Sequence, residues 1–132
     1  MQLDHFAFEV SDLDRSLVFY TQVIGLPLLS RTVDEEHGEA FAFLDLGGAT
    51  LELLQKLDQA TPPALGRRLR ATNSPHLALR VPDLEAALAA LADHGLRPFE
   101  GPLFLPDVAR WAYIEDPDGN VLEYVQWLTP PR

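Results

Sequence analysis

The sequence predicts an α+β protein made of two tandem βαβββ modules, which form a curved, mostly antiparallel sheet of eight strands with helices on the outside. The first observation is an internal repeat: at an offset of 71 residues, the segment 45–55 aligns with 116–126 and shares its Asp, Gly, Leu, Glu and Gln positions. The second is that the same offset aligns His5 with His76 near the starts of the two halves. Such a pattern is typical of one supersecondary unit used twice.

Length and composition set the class of protein. With 132 residues, of which 47% are hydrophobic, the chain is expected to form a single domain over 1–132 that buries roughly two thirds of its unfolded surface. The absence of cysteine excludes disulfides and thiolate metal sites. A formal net charge of −10 argues against binding to nucleic acid or to anionic membranes. No basic leader or long apolar run is present, and we expect a cytoplasmic protein.

The first module is expected over residues 3–55. Its opening strand alternates, with Phe6, Phe8 and Val10 on one side and polar residues on the other. Ser11 or Asp12 then caps a helix that ends at a glycine. The remaining strands of this module are predicted over 28–33, 39–46 and 49–55.

The second module is expected over residues 75–127, after a connector at 56–74 that breaks the pattern and contains a helical turn over 64–70. Pro82 and Asp83 cap a helix that extends from 84 to 94. The strands of this module are predicted over 75–81, 97–100, 109–115 and 120–127, with a loop over 101–107 that begins at Gly101 and Pro102.

Four polar residues recur on the same side of these strands. The period of two places His5 and His76 on the fronts of the opening strands, and Glu52 and Glu123 on the fronts of the closing strands. Taken singly, such a histidine is ordinarily hydrogen-bonded and such a glutamate is ordinarily solvated. Their recurrence in both modules favours a metal site, because two imidazoles and two carboxylates suit Ni²⁺, Co²⁺, Mn²⁺ or Fe²⁺, and also Zn²⁺ with an expanded shell.

The chain resembles the vicinal oxygen chelate superfamily, which includes glyoxalase I, methylmalonyl-CoA epimerase, extradiol dioxygenases and bleomycin or fosfomycin resistance proteins. The resemblance covers residues 3–127 and is specific for the fold more than for the reaction, because the family uses one scaffold for many chemistries. Its markers here are Leu3-Asp4-His5, Ser11-Asp12-Leu13-Asp14-Arg15-Ser16, Phe19-Tyr20, Gly25-Leu26, Thr50-Leu51-Glu52-Leu53, His76-Leu77-Ala78-Leu79 and Glu115-Asp116-Pro117-Asp118-Gly119-Asn120-Val121-Leu122-Glu123.

The resemblance implies a site and a reaction. The ligand set of bacterial glyoxalase I falls on His5, Glu52, His76 and Glu123, which would bind one divalent metal. The implied activity is that of a lactoylglutathione lyase: the metal stabilises an enediolate of the methylglyoxal–glutathione hemithioacetal, and a carboxylate, Glu123 by preference or Glu52, transfers the proton. The resemblance also implies a homodimer whose sites take His5 and Glu52 from one chain and His76 and Glu123 from the other.

Three alternative functions remain open at this point. In a methylmalonyl-CoA epimerase-like enzyme, Glu36 in the turn before the third strand would be a second base, although the turn at 116–119 departs from the epimerase pattern. An Fe²⁺ dioxygenase needs only two His and one carboxylate as ligands, as His5, His76 and Glu123 provide. Glu52 as a fourth ligand would occupy coordination positions that such an enzyme keeps open for O₂ and substrate. A metal-free binding or resistance protein usually lacks the full ligand set.

An anionic substrate such as a glutathione or CoA thioester adduct requires positively charged side chains near the site. The candidates are Arg15, Arg31 and Arg110, and the arginine run within 67–70 is a further one. Trp111 is predicted either to line the pocket or to fill the core.

Overall fold

The structure is a computed structural model that describes residues 1–58 and 75–131. The chain divides into two compact units, with the boundary between residues 63 and 64. The predicted helical turn at 64–70 and most of the predicted connector lie outside the described residues. None of the helices in the described ranges has the length and hydrophobicity needed to cross a membrane.

Each unit contains one βαβββ module and one sheet of four strands. In the first unit, the strand order is β1-β4-β3-β2 and only the β1–β4 pairing is parallel. Its elements are β1 (His5–Glu9), α1 (Leu13–Val18), a π-helical segment (Phe19–Val23), β2 (Leu28–Asp34), β3 (Glu39–Asp45) and β4 (Thr50–Lys56).

The second unit repeats this topology with the strand order β5-β8-β7-β6, and only β5 and β8 are parallel. Its elements are β5 (His76–Arg80), α2 (Leu84–Asp93), β6 (Glu100–Leu105), β7 (Ala109–Glu115) and β8 (Val121–Trp127). The predicted α+β class with two βαβββ modules is therefore confirmed, and the eight strands form two sheets of four.

The core of the first unit lies on the sheet face that the helix covers, which we call the helix face. In the second unit, buried apolar side chains lie on the helix face and also, at Tyr113, Val121 and Val125, on the opposite face. In β4, Leu51 and Leu53 are fully buried, and they alternate with Glu52, which is only half-buried. Leu122 in β8 is likewise fully buried beside Glu123. The opposite side of each sheet, which we call the front face, carries the polar members of this alternation.

The start of each helix is stabilised by an aspartate N-cap. Asp12 and Asp83 are the N-caps, and their carboxylates accept hydrogen bonds from the backbone N–H groups of Arg15 and Ala86. These bonds satisfy N–H groups that the first helical turn leaves without an intrahelical partner. The predicted cap Asp83 is confirmed, and Asp12 is the one of the two candidates, Ser11 and Asp12, that caps α1.

A glutamine at the end of each closing strand docks the helix onto its sheet. The Leu13 N–H donates to Gln55 Oε1 at 2.8 Å, and the Leu84 N–H donates to Gln126 Oε1 at 3.0 Å. Both bonds join residues 42 apart in sequence. The recurrence of glutamine at these two repeat positions therefore has a structural cause, which is the anchoring of a helix N-terminus.

The strand preceding β7 differs from the prediction. A strand was expected over 97–100 and a loop over 101–107, whereas β6 runs from Glu100 to Leu105 and includes Pro102. Gly101-Pro102 predicts the start of a loop, but β6 is an edge strand, where a missing backbone N–H is tolerated. The pairing with β7 shifts register between Glu100 and Leu103, which accommodates the proline in a local irregularity.

Candidate metal centre

The first unit brings together the two residues predicted from it. β1 and β4 pair in parallel with Ala7 opposite Glu52, so His5 and Glu52 lie diagonally on the front face. His5 Nε2 is 3.5 Å from Glu52 Oε2. The His5 side chain is 43% exposed and the Glu52 side chain 20%, so a solvent molecule or ligand has access to the imidazole.

The second unit repeats this pair at the equivalent positions. β5 and β8 pair in parallel with Ala78 opposite Glu123, and His76 Nε2 is 2.8 Å from Glu123 Oε2. These side chains are 24% and 16% exposed, which makes this pair the more enclosed of the two. In both units, the same two atoms of the same two residue types face each other.

Each histidine also packs against an aromatic ring from the third strand of its module. Phe43 pairs across the sheet with Glu52, and its ring meets His5 edge-on with centroids 6.1 Å apart. Tyr113 pairs with Glu123 in the same way and meets His76 at 5.3 Å. These rings restrict the histidine orientations, and only the second pair has a phenol beside it.

A carboxylate orients the imidazole of the first pair. Asp4 Oδ1 lies 2.7 Å from His5 Nδ1, and this hydrogen bond is the largest cause of a raised pKa of His5. When neutral His5 donates from Nδ1, Nε2 keeps its lone pair toward Glu52. A carboxylate behind the imidazole in this way is a recurring feature of histidine metal ligands.

The hydroxyl of Tyr113 lies in a distinct environment on the front face of the second unit. Burial is the main cause that raises the pKa of Tyr113, and the negative charge of Glu123 raises it further. A hydrogen bond from the Trp111 side chain to this phenol acts in the opposite direction. The phenol therefore stays protonated at neutral pH and keeps its own O–H available as a donor.

The donor set of each pair suits a divalent metal. Two ligands at about 2.1 Å from one ion are separated by about 3–3.5 Å when the angle between them is octahedral or tetrahedral. The N–O distances of 3.5 Å in the first pair and 2.8 Å in the second are close to this range. Within residues 1–58 and 75–131, no group of three or more metal-ligating side chains is assembled, so each unit presents a two-donor half of the predicted set.

The arginines predicted to bind substrate in the first unit are engaged on its helix side. The Arg15 guanidinium donates to Ser11 Oγ at 2.7 Å within the first turns of α1. The Arg31 guanidinium is 2.8 Å from Asp14 of the same helix, and Arg31 pairs across the sheet with the buried Ala42. Neither guanidinium is brought to the His5–Glu52 pair.

In the second unit, the structure separates Arg110 from Trp111. Arg110 lies 3.6 Å from Glu85 of α2 and 5.5 Å from the centroid of Phe104, next to a cavity of about 270 Å³ on the helix face. Trp111 pairs with Val125 and lies on the front face with Tyr113. Because neighbouring strand residues point to opposite faces, only one of the two could be near the His76–Glu123 pair.

Glu36 occupies an exposed turn between β2 and β3. Its neighbour His37 is bound within this turn, where the His37 N–H and imidazole both bind the Asp34 carboxylate, at 3.1 and 2.8 Å. Nothing in the described ranges joins Glu36 to the His5–Glu52 pair, which lies several residues away along β3 and β4.

Several front-face residues were not selected from the sequence. Asp4 precedes His5 directly, and Phe43 and Tyr113 are found once the register of the third strand is known. Lys56 and Arg80 also lie on the front faces, at the ends of β4 and β5. Alternation from Glu52 and His76 alone would have placed both of these basic residues on the same side as the histidines.

Comparison with known proteins gives a family and several relatives. A model of the Glyoxalase/Bleomycin resistance protein/Dioxygenase superfamily matches residues 2–124. The probable lactoylglutathione lyase of Vibrio cholerae is 32% identical over 130 residues, which span 92% of this chain and 88% of that protein. The mitochondrial methylmalonyl-CoA epimerase of Homo sapiens is 29% identical over 97 residues, or 73% of this chain and 55% of the relative.

Solved structures with the same fold are also similar. TnmS3, an antibiotic binding protein from Streptomyces sp. CB03234, superposes with a TM-score of 0.74 at 27% identity and covers 96% of both chains. The matched proteins thus include both enzymes and a binding protein.

Proposed function

The chain belongs to the Glyoxalase/Bleomycin resistance protein/Dioxygenase superfamily, and we propose that it is a metal-dependent lyase of the glyoxalase I type. The observation that carries the proposal is the duplicated His–Glu pair, with Nε2 facing Oε2 in both units. A binding protein without a metal has no need for the same two donors at both repeat positions. The similarity to bacterial lactoylglutathione lyases supports this class of reaction.

Under this proposal, His5, Glu52, His76 and Glu123 hold one divalent metal. Two neutral imidazoles and two carboxylates make a net neutral set with such an ion, and leave coordination positions for a substrate. The bound metal would stabilise negative charge on the substrate oxygens. The Asp4 carboxylate favours the His5 tautomer in which Nδ1 carries the proton, and this tautomer leaves the Nε2 lone pair to bind the metal.

The carboxylate of Glu123 is assigned the role of base. The substrate is the hemithioacetal of methylglyoxal and glutathione, and the reaction is an isomerisation in which a proton leaves one carbon and is returned to its neighbour. Glu123 takes and returns this proton, and the enclosure of its side chain by Tyr113 and His76 limits exchange with water. Glu52 is the alternative base, and its aromatic neighbour Phe43 offers no hydrogen-bond donor.

Metal content and activity together test the proposal. Elemental analysis of purified protein is expected to give about one metal per chain, reduced to background in a Glu52→Ala, Glu123→Ala double variant. The matched control is Glu35→Ala in the exposed turn, which should keep both metal and activity. Wild-type protein that takes up no Ni²⁺, Co²⁺, Mn²⁺ or Zn²⁺, or a metal-loaded protein that forms no lactoylglutathione, would refute the proposal.

We further propose a homodimer in which each metal site takes one His–Glu pair from each chain. A His5→Ala, Glu52→Ala variant and a His76→Ala, Glu123→Ala variant should both be inactive alone. When they are mixed, unfolded and refolded together, mixed dimers would regain one intact site, which gives about a quarter of wild-type activity for random pairing. No recovery in a mixture that contains mixed dimers would place both pairs of a site in one chain.

A second candidate is an epimerase that acts on methylmalonyl-CoA, which is favoured by the similarity to the human mitochondrial enzyme. The same metal ligands would serve, and a second base would be required. Glu36 lies on an exposed turn, so its role predicts that Glu36→Gln abolishes epimerisation while leaving metal content unchanged. Parallel assays with the glutathione adduct and methylmalonyl-CoA separate the two enzymes.

A third candidate is a small-molecule binding protein, which is favoured by the structural similarity to TnmS3. It predicts ligand binding that is unaffected by chelators and by the Glu52→Ala, Glu123→Ala double variant. The lyase proposal predicts the opposite dependence on metal.

A further inference from the structure

The second unit has a cavity on its helix face, which is the side of the sheet opposite to the His76–Glu123 pair. Its volume is about 270 Å³, and its lining comes from the first turn of α2, the edge strand β6 and one residue of β7. The apolar part of the lining is Leu84, Pro102, Leu103 and Phe104, and the charged part is Glu85 and Arg110. The cavity is therefore separate from the candidate metal centre.

The two charged residues of this cavity are close to each other without being hydrogen-bonded. Arg110 Nη1 lies 3.6 Å from Glu85 Oε1, which is longer than a hydrogen bond. The Glu85 side chain is 84% exposed and the Arg110 side chain 43%, so solvent reaches both charges. An exposed pair of this kind contributes little to stability. A ligand can therefore separate the two groups at small cost and bind to each of them.

An exposed aromatic ring lies beside the guanidinium. Phe104 pairs with Arg110 across the sheet, and Arg110 Cζ is 5.5 Å from the centroid of the Phe104 ring, which is within the range of a cation–π contact. This contact restrains the guanidinium at the cavity. Phe104 remains 56% exposed, and Pro102 of the same strand is exposed as well. The cavity thus combines an accessible apolar surface with one charge of each sign.

The first unit joins its helix to its edge strand where the second unit does not. Asp14 occupies the position of α1 that is equivalent to Glu85, and it accepts a hydrogen bond at 2.8 Å from Arg31 of the edge strand β2. In the second unit the cation lies one strand farther inward, on β7. Within residues 75–131, no ion pair joins α2 to β6. The second copy of the module therefore lacks the bond that ties helix to edge strand in the first.

We propose that this cavity binds a free α-amino acid with an apolar side chain. The ligand carboxylate binds the Arg110 guanidinium, whose fork of N–H groups matches its two oxygens, and the ligand ammonium binds the Glu85 carboxylate. The apolar side chain of the ligand covers Phe104 and Pro102. A zwitterion suits a rim with one charge of each sign, and the net charge of −10 does not repel it as it would an anion.

NMR titration of ¹⁵N-labelled protein with L-phenylalanine tests the site and the ligand class together. Amide signals of β6 and of the first turn of α2 should shift, whereas those of His76 and Glu123 should not. N-acetyl-L-phenylalanine has no ammonium group and L-phenylalaninamide has no carboxylate. Each should bind about 10- to 100-fold more weakly than L-phenylalanine, as expected for loss of one charged hydrogen-bonding partner. Glycine, which lacks the apolar side chain, should also bind more weakly.

Two variants assign the two ends of the ligand. Glu85→Gln and Arg110→Gln should each weaken binding of L-phenylalanine about 10- to 100-fold. Glu85→Gln should not change the affinity for N-acetyl-L-phenylalanine, and Arg110→Gln should not change that for L-phenylalaninamide, because each derivative lacks the group that the altered residue binds. Arg97→Ala, at an exposed loop position of the same unit, is the matched control and should equal the wild type.

Three results would overturn the inference. Shifts that are absent, or confined to the front face, would show that the cavity is not the site. Equal affinities of the wild type for L-phenylalanine and for either derivative would show that the ligand class is not a zwitterion. Loss of binding in the Glu52→Ala, Glu123→Ala double variant would place the amino acid at the metal centre. Retention of binding in that variant supports the cavity whether or not the protein proves to be a lyase.

Discussion

The hydrogen bond from the Leu84 N–H to Gln126 can be tested by replacing Gln126 with Met. Methionine keeps the length and apolar stem of glutamine but removes the acceptor oxygen, so the Leu84 N–H at the start of α2 loses its partner. An unpaired N–H costs about 1–3 kcal/mol when buried. Because this bond is only partly buried, we expect the free energy of unfolding to fall by about 1–2 kcal/mol.

Urea denaturation followed by circular dichroism measures this change, and thermal unfolding should show a decrease in Tm of about 3–6 °C for a chain of this size. Gln126→Glu is the matched control, because it keeps an acceptor oxygen and places negative charge near a helix N-terminus. It should lose less than about 0.5 kcal/mol. Gln55→Met should behave like Gln126→Met, since its bond to Leu13 has nearly the same length.

Two results would refute this reasoning. If Gln126→Met were as stable as the wild type, the bond would contribute nothing beyond what water supplies. If Gln126→Glu were destabilised as much as Gln126→Met, the effect would come from altered packing at this position and not from loss of the acceptor.

Three further predictions concern the core, a turn and a titrating pair. Leu122→Ala should cost about 2–5 kcal/mol in a denaturation experiment because Leu122 is fully buried, whereas Leu105→Ala on the exposed edge strand should change stability by less than about 0.5 kcal/mol. Asp116→Ala should cost about 2–3 kcal/mol, since the buried Asp116 carboxylate accepts three hydrogen bonds within its turn, and an unchanged urea midpoint would contradict this. The hydrogen bond from His37 lowers the pKa of Asp34 below 3.8, so its stabilisation is present above pH 3.8 and is lost as the pH falls through the lowered pKa. In His37→Ala, carboxyl-carbon NMR titration should show the pKa of Asp34 raised toward 3.8, and an unshifted curve would show that another group holds it down.

The alternation of residues within strands was sufficient to predict which histidines and glutamates lie together. His5 and Glu52 are far apart in sequence, yet both belong to strands whose apolar residues define the helix face, so the remaining positions must share the front face. The same reasoning applies to His76 and Glu123. Distances between the paired atoms could not be predicted, because they depend on which strands are neighbours and on their register.

The substrate-binding arginines could not be predicted from the sequence, because their partners depend on the tertiary structure. Arg31 and Arg110 were chosen for their charge alone, and their partners Asp14 and Glu85 lie on helices that pack across the sheet. Such contacts are tertiary and leave no local pattern in the sequence. For Arg110 a signal was available, since alternation with Trp111 excludes both residues from one face.

The same limit explains the error at β6. Gly101 and Pro102 ordinarily mark a turn, and the preference of an edge strand for such residues becomes relevant only when the strand order is known.

The internal repeat distinguishes positions that support the module from positions that give each half its own role. Both copies keep the glutamine that docks the helix, the aspartate that caps it and the His–Glu pair, so these residues meet requirements common to both sheets. The front faces diverge elsewhere: Phe43 is matched by Tyr113, and Glu9 by Arg80. A metal bound by equivalent pairs would be chemically symmetric, whereas its substrate is not. The Tyr113 hydroxyl and the Arg80 guanidinium have no counterpart at the equivalent positions of the first unit. Under the proposed function, they would give an otherwise symmetric set of ligands a direction in which an asymmetric substrate can bind.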